Sequence, residues 1–205
     1  LYTGEPVETG VSTVRLEILT PDLMTGDFEH YSPGNHEIVL ETASGSQSVN
    51  VDLTPSLEIT DIYQHHRGDS ERSLGQVGIE ITNTGSGPTW VYDISFEDAP
   101  YYSANDGLHG DPGVVLLETP KESEGLIIGP GETQKYLSND TPLLFKRDGQ
   151  NCNRNYDMAV VVGVATGEHL TKQVVAAGNG ESTNIPSSDR MVCENMDDRI
   201  GGAES

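Results

Sequence analysis

Apolar and polar residues alternate with a period of two along most of this chain, which is the pattern of half-buried β-strands. In TVRLEIL (13–19), for example, Val14, Leu16 and Ile18 alternate with Arg15 and Glu17. The segments with strand-like patterning are 13–19, 36–42, 48–53, 57–63, 75–83, 89–96, 113–119, 125–129, 133–138, 142–146, 158–166 and 169–177. Turn signals rich in glycine and proline separate them, and no segment sustains a 3.6-residue period. The sequence therefore predicts an all-β protein, an antiparallel immunoglobulin-like β-sandwich preceded by a small β-module.

The spacing of strands and turns also divides the chain into parts. We expect a linker over 1–12, a small N-terminal β-module over 13–55 and the immunoglobulin-like sandwich over 56–178. After Ala177, glycine, serine, asparagine and aspartate dominate, so residues 179–205 are expected to form a polar C-terminal tail rather than a strand.

Two segments support finer predictions. MAVVVGVAT (158–166) is apolar throughout and predicts a central strand covered on both faces. In TWVYDISF (89–96), strict alternation predicts one face that carries Trp90, Tyr92, Ile94 and Phe96.

The net charge of the chain indicates the environment in which the protein works. The 205 residues include 33 acidic and 11 basic side chains, for a formal net charge of -22, and only four of the bases are lysines. A surface of this kind repels itself in dilute buffer and is screened in strong salt, so it indicates a halophilic protein. An acidic tail or a Ca²⁺ buffer would instead cluster its carboxylates, which here are spread along the chain. Without a basic stripe, nucleic acid is not an expected partner.

The two cysteines, Cys152 and Cys193, predict one disulfide in a secreted protein. Such a bond would tether the polar tail to the sandwich. Two free thiols in a cytosolic protein are the alternative, and metal binding is disfavoured because neither cysteine has a CxxC or CxH neighbour.

Residues Leu57 to Ala177 carry a family resemblance. The succession LEITDIY, VGIEITNTGSGP, YDISF and IIGPGETQKYLS resembles the CARDB-type immunoglobulin-like module of archaeal and bacterial surface proteins. The insertion 97–113 and the loop around Cys152 depart from that pattern. The N-terminal part is similar to the β-module that precedes such domains in secreted haloarchaeal proteins, many of which are lipoproteins. The resemblance implies a non-catalytic module at the cell surface, with membrane contact only through a lipid anchor upstream of Leu1.

Several short motifs are candidates for functional sites. HHRGDS (65–70) contains the adhesive tripeptide Arg-Gly-Asp after two histidines, but as a polar connection between two strands it is better explained as an ordinary loop. In the insertion, Asp106, His109 and Asp111 are weak candidates for a cation site, since carboxylates in a glycine-rich loop can bind Ca²⁺. No other cofactor is indicated.

The remaining candidates concern surface contacts. Tyr101 and Tyr102, two adjacent aromatics in a loop, are candidates for a contact surface with carbohydrate or protein. Asn139, in the sequence Asn-Asp-Thr, is a glycosylation candidate. The sequence contains no GxSxG, HExxH or phosphate-binding loop motif, so we expect no enzyme activity.

Together these features predict a non-catalytic extracellular structural or binding protein of a halophilic archaeon. It would be a cell-surface lipoprotein or a subunit of a surface assembly, with other surface proteins or further copies of itself as partners. A virion or appendage subunit is an alternative, and a secreted hydrolase with catalytic residues on loops is the alternative from a different class.

Overall fold

A computed structural model describes residues 19, 30–42, 44–65, 75–101, 105–110, 112, 117, 126–146, 152–185 and 189–200. Its strands are β1 (Gly34–Thr42), β2 (Gly45–Leu53), β3 (Leu57–Gln64), β4 (Val77–Asn83), β5 (Val91–Glu97), β6 (Thr133–Leu137), β7 (Phe145–Lys146), β8 (Asn155–Val164), β9 (His169–Asn184) and β10 (Arg190–Ile200). All the pairings among these strands are antiparallel. The prediction of an all-β fold is confirmed.

The strands form a sandwich and a separate hairpin. One sheet has the order β3-β4-β6 and the second has the order β5-β8-β9-β10-β7, while β1 and β2 pair only with each other. In chain order, β3, β4 and β6 against β5, β8 and β9 reproduce strands A, B and E against C, F and G of an immunoglobulin-like sandwich. The predicted sandwich and the β-hairpin that precedes it are therefore both present.

The main core lies between the two sheets of the sandwich. Its fully buried side chains include Ile79 and Ile81 from β4, Phe96 from β5 and Val160 from β8. Strand β8 runs between β5 and β9. Its opposite face is covered as well, because the ring of Tyr92 packs directly over Gly163, where a β-carbon would lie only 2.4 Å from the ring. The prediction of a central strand with two covered faces is confirmed.

A β-bulge in β5 overturns the predicted single aromatic face. Val91 pairs with Val164, but Asp93 pairs with the next residue, Gly163, so the strand gains one residue on its partner. A bulge of this kind shifts the alternation by one position. Ile94 and Phe96 therefore belong to the core between the sheets, whereas Trp90 and Tyr92 belong to a second cluster with Leu19, Leu126 and Ala165.

The expectation of a tail after Ala177 is wrong. Strand β9 continues to Asn184, and β10 covers most of the rest of the described chain. The segment folds back along β9, from Met191 opposite Asn184 to Ile200 opposite Val174, with a register shift between Cys193 and Asn195. Its backbone groups pair with those of β9, so a segment of largely polar composition still forms a strand.

Other predicted strands are shorter than expected or lie outside the described residues. Ile128 forms a single bridge with Thr89 in place of a strand over 125–129, and the segment 142–146 is reduced to the two residues of β7. The predicted strand 113–119 lies outside the described residues except Leu117, and 13–19 lies outside them except Leu19.

Candidate functional site

The β1–β2 hairpin is the least covered part of the described structure. Nine cross-strand pairs join its strands, from Gly34–Leu53 to Thr42–Gly45. Three of its large apolar side chains are exposed: Val39 at 52%, Leu40 at 42% and Val49 at 57%. Because a two-stranded hairpin is at best marginally stable in water, such exposure points to a surface that contacts something else.

The carboxylates of the hairpin all lie on one of its two faces. Cross-strand partners share a face, and the pairs Ile38–Val49, Leu40–Gln47, His36–Val51 and Gly34–Leu53 alternate with the others. One face, called here the apolar face, therefore carries Ile38, Leu40, Val49, Val51 and Leu53 together with His36 and Gln47. Glu37, Glu41 and Asp52 all occupy alternate positions on the opposite face.

Hydrogen bonds from the turn after β4 hold the base of the hairpin. The Tyr31 hydroxyl donates to the carbonyl of Pro88 at 2.7 Å. The Ser86 hydroxyl donates to Oδ2 of Asp52 at 3.0 Å, and the Thr54 hydroxyl donates to Oδ1 of the same carboxylate at 2.6 Å. Burial, and then the negative charge of Asp52, raise the pKa of Tyr31 to about 12. Tyr31 therefore remains a protonated donor at neutral pH.

His30 connects the base of the hairpin to the sandwich through contacts with Tyr31 and Thr89. Its Nδ1 lies 2.7 Å from the Tyr31 carbonyl and its Nε2 lies 3.1 Å from Oγ1 of Thr89. The tautomer with the proton on Nδ1 satisfies both contacts, since Nδ1–H donates and Nε2 accepts. The imidazole ring also packs 4.5 Å from the ring of Tyr31 and 5.1 Å from the ring of Trp90. Burial among these groups lowers the pKa of His30, against the opposing effect of the Tyr31 carbonyl.

We expect acidification to weaken the base of the hairpin through His30. Because the pKa is lower in the folded state than the ordinary value of 6.5, stability is complete above that value and falls as the pH drops towards the folded pKa. Melting temperatures of the wild type and His30→Phe between about pH 5 and pH 8 measure this effect. The wild type should lose stability relative to the variant on the acid side, and parallel pH profiles for the two proteins would contradict the expectation.

Asn83 connects the hairpin base to the sandwich, although only its turn role is visible in the sequence. Its side chain is fully buried. The amide Nδ2 donates to the carbonyls of Gly87 and Ile128 at 2.8 and 2.9 Å. Its Oδ1 accepts from the backbone N–H groups of Ser56 and Gly85 at 3.2 and 3.0 Å. One amide thus fixes three segments of chain relative to one another.

Asp93 is a buried carboxylate that sequence reasoning passed over. Its Oδ2 accepts from the N–H groups of His109 and Gly110 at 2.6 and 3.2 Å, and its Oδ1 accepts from the N–H of Ile94 at 2.9 Å. The signal in the sequence is an aspartate between the hydrophobic residues Tyr92 and Ile94. Its role is to hold the loop of the insertion against β5.

The candidate cation-site residues Asp106 and His109 lie in this loop. Burial, and then the negative charge of Asp93, raise the pKa of Asp140, with a further increase from Asp106 and a decrease from His109. Asp111 lies outside the described residues. Within the described part of the chain, no three His, Cys, Asp or Glu side chains come together as a group that could hold a metal ion.

Of the two tyrosines proposed for a contact surface, only Tyr101 lies among the described residues. The guanidinium of Arg190 lies 4.5 Å from the centre of the Tyr101 ring and 3.2 Å from the carboxylate of Asp189. Tyr101 is half-buried, so it also packs against the protein. Tyr102 lies outside the described residues.

Cys152 and Cys193 form a disulfide, with Cα atoms 5.4 Å apart. Both cysteines are buried. Gly178 makes room for the bond, since a β-carbon there would lie 2.8 Å from the Cys152 carbonyl oxygen and 3.2 Å from Sγ of Cys193. The bond links the loop before β8 to a residue in β10, where the sequence suggested a link to a tail.

The remaining candidates from the sequence are Asn139 and the HHRGDS motif. Asn139 is exposed in the bend after β6. His65 donates its backbone N–H to the carbonyl of Gln76, while His66 and the Arg67–Asp69 tripeptide lie outside the described residues. Over the described part of the chain, no helix has the length and apolar character needed to cross a membrane.

Comparisons with protein-family models, with curated proteins and with solved structures found no match for this chain.

Proposed function

We propose that this chain is a non-catalytic extracellular structural protein of a halophilic archaeon, a cell-surface protein or a subunit of a surface assembly. The observation that carries the proposal is the amphipathic β1–β2 hairpin, which is anchored at its base and exposes apolar side chains away from it. A sandwich that presents such an element has the form of a scaffold that contacts neighbours. The partners would be other surface proteins or further copies of this chain.

Two further features support the proposed environment. The disulfide between buried cysteines suits an oxidising compartment. The net charge of -22, with four lysines in the whole chain, suits a protein that works in strong salt. We also propose that the sandwich is a CARDB-like module. The Asn83-Thr84-Gly85 turn that suggested this family has a defined structural role, because a β-carbon at Gly85 would lie 2.3 Å from the Thr54 carbonyl oxygen.

Protease treatment of intact native cells tests the location. In cells that produce the protein, protease added to intact cells should remove it, and the chain should resist alkylation at Cys152 and Cys193 after isolation. A cytoplasmic enzyme processed from the same cells serves as the control and should stay intact. A chain that is protected until the cells are lysed, and whose thiols are free, would refute the extracellular role.

We expect the folded state to be stabilised by salt. Screening of the carboxylate repulsion should raise the melting temperature by about 10 °C or more between about 0.1 M and about 3 M KCl. NaCl should act similarly, because screening depends on ionic strength. Differential scanning calorimetry measures the effect, and a melting temperature that stays constant over this range would contradict the halophilic assignment.

A further inference from the structure

We propose that the apolar face of the β1–β2 hairpin is a self-association site, which binds the same face of a second copy of this chain. The proposal deepens the proposed function and rests on it, since it names the partner and the surface of an assembly subunit. Its basis is the segregation of charge across the hairpin.

The apolar face lacks ionised carboxylates, although acidic residues are spread over the chain as a whole. Its side chains Ile38, Leu40, Val49, Val51 and Leu53 alternate in register with Glu37, Glu41 and Asp52 on the opposite face. The face is half-buried near the base, where the rings of Tyr31 and His36 meet edge to face with centres 6.1 Å apart. It is exposed further along the hairpin at Leu40 and Val49. The exposed end is therefore the part available to a partner.

The charge pattern favours a second copy over a basic partner. A basic protein would be attracted to the carboxylates of the opposite face and would find no carboxylate to pair with on the apolar face. Two copies that meet through their apolar faces instead direct Glu37, Glu41 and Asp52 of both hairpins away from the contact. In molar salt, the repulsion between the two acidic bodies is screened beyond about 3 Å. The contact is isologous, with the same residues on both sides.

The size of the face sets the strength of the contact. Nine residues per strand at about 3.3 Å each, over two strands about 4.8 Å apart, give no more than about 300 Å² per copy. Two faces bury about 600 Å², roughly half of the lower limit for a stable interface. The dissociation constant of an isolated pair should therefore be about 0.1 mM. Such a weak contact becomes effective where many copies are held close together.

Sedimentation velocity of the full chain in about 3 M KCl, from about 10 µM to about 1 mM, tests the proposal. The wild type should show a concentration-dependent dimer. Leu40→Glu should raise the dissociation constant about tenfold or more, because it places a carboxylate on the apolar face of each copy. Val39→Glu is the matched control, since Val39 is also exposed but lies on the opposite face. It should change the constant less than about twofold.

A second measurement uses the absence of free cysteines among the described residues. Val49→Cys should form a disulfide-linked dimer under mild oxidation, and Ser48→Cys, on the opposite face, should not. A protein that stays monomeric up to about 1 mM, equal effects of Leu40→Glu and Val39→Glu, or cross-linking through Ser48→Cys would each overturn the proposal. These results are separate from the protease treatment of intact cells, because purified protein reports association whatever the location of the chain.

Discussion

Replacement of Asn83 by alanine is expected to lower the free energy of unfolding by about 3–5 kcal/mol. The substitution removes four hydrogen bonds to backbone groups of Ser56, Gly85, Gly87 and Ile128. Asn83 is completely buried, so water cannot easily take over the role of its amide. Chemical denaturation at constant salt measures the loss, and a change below about 1 kcal/mol would show that the turn does not depend on this side chain.

Asn83→Asp separates hydrogen bonding from size. Aspartate keeps the acceptor for Ser56 and Gly85 but directs a carboxylate at the carbonyls of Gly87 and Ile128. In this site its pKa should rise above the ordinary value of about 3.9, so the destabilisation relative to wild type should grow as the pH rises above that value. Thr84→Ala is the neighbouring control. The Thr84 hydroxyl is exposed and donates one bond to the Ser56 carbonyl at 3.1 Å, so its loss should cost about 1 kcal/mol or less.

The position of Asn83 also explains what the sequence could predict about this region. Residues 83–88 announce a turn through their composition alone. The three-segment connection depends on Ser56 and Ile128, which lie 27 and 45 residues away in sequence. Local patterns predict the turn, whereas only the packing of two sheets brings those partners together.

The alternating pattern of the strands likewise reports local geometry, and its predictions were wrong where pairing with a distant strand decides the structure. Period-two alternation follows from the pleat, so it correctly predicted an all-β sandwich and the central position of β8. The register shift between Val91 and Asp93 is set by pairing with β8, and alternation along β5 alone predicted the wrong face for Trp90 and Tyr92. Polar composition after Ala177 likewise predicted a tail, because composition does not register main-chain pairing between β9 and β10.

The hairpin is an intermediate case. The two strands and their connection were predictable from residues 36–53, and so was the separation of apolar from acidic positions once the register is known. Its exposure was not, because the sequence does not tell which face of a two-stranded sheet another part of the chain covers. Only the structure shows that Val39, Leu40 and Val49 are exposed.

Removal of the disulfide by Cys152→Ala together with Cys193→Ala is expected to cost about 4 kcal/mol in the free energy of unfolding. The sequence separation of 41 residues gives roughly this value when the loop-closure entropy of the unfolded chain is counted. The double variant leaves no unpaired thiol in either position. Denaturation in about 3 M KCl measures the cost while charge repulsion is screened.

The loss should be uneven along the five-stranded sheet. Where the C-terminal half of β9 pairs with the N-terminal half of β10, Met191, Val192 and Cys193 are buried, but most other residues are polar. The side chain of Gln64 in β3 donates a hydrogen bond to the Cys193 carbonyl at 3.1 Å. Without the disulfide, backbone amides at 182–184 and 190–193 should therefore exchange with solvent faster than those of β5 and β8, as local opening does not require global unfolding. Gln64→Leu, with the disulfide intact, is the control and should leave the same amides largely protected. Equal loss of protection across all strands of the sheet would mean that the disulfide stabilises the sandwich as a whole, and that the end of β9 and the start of β10 are held by their main-chain pairing.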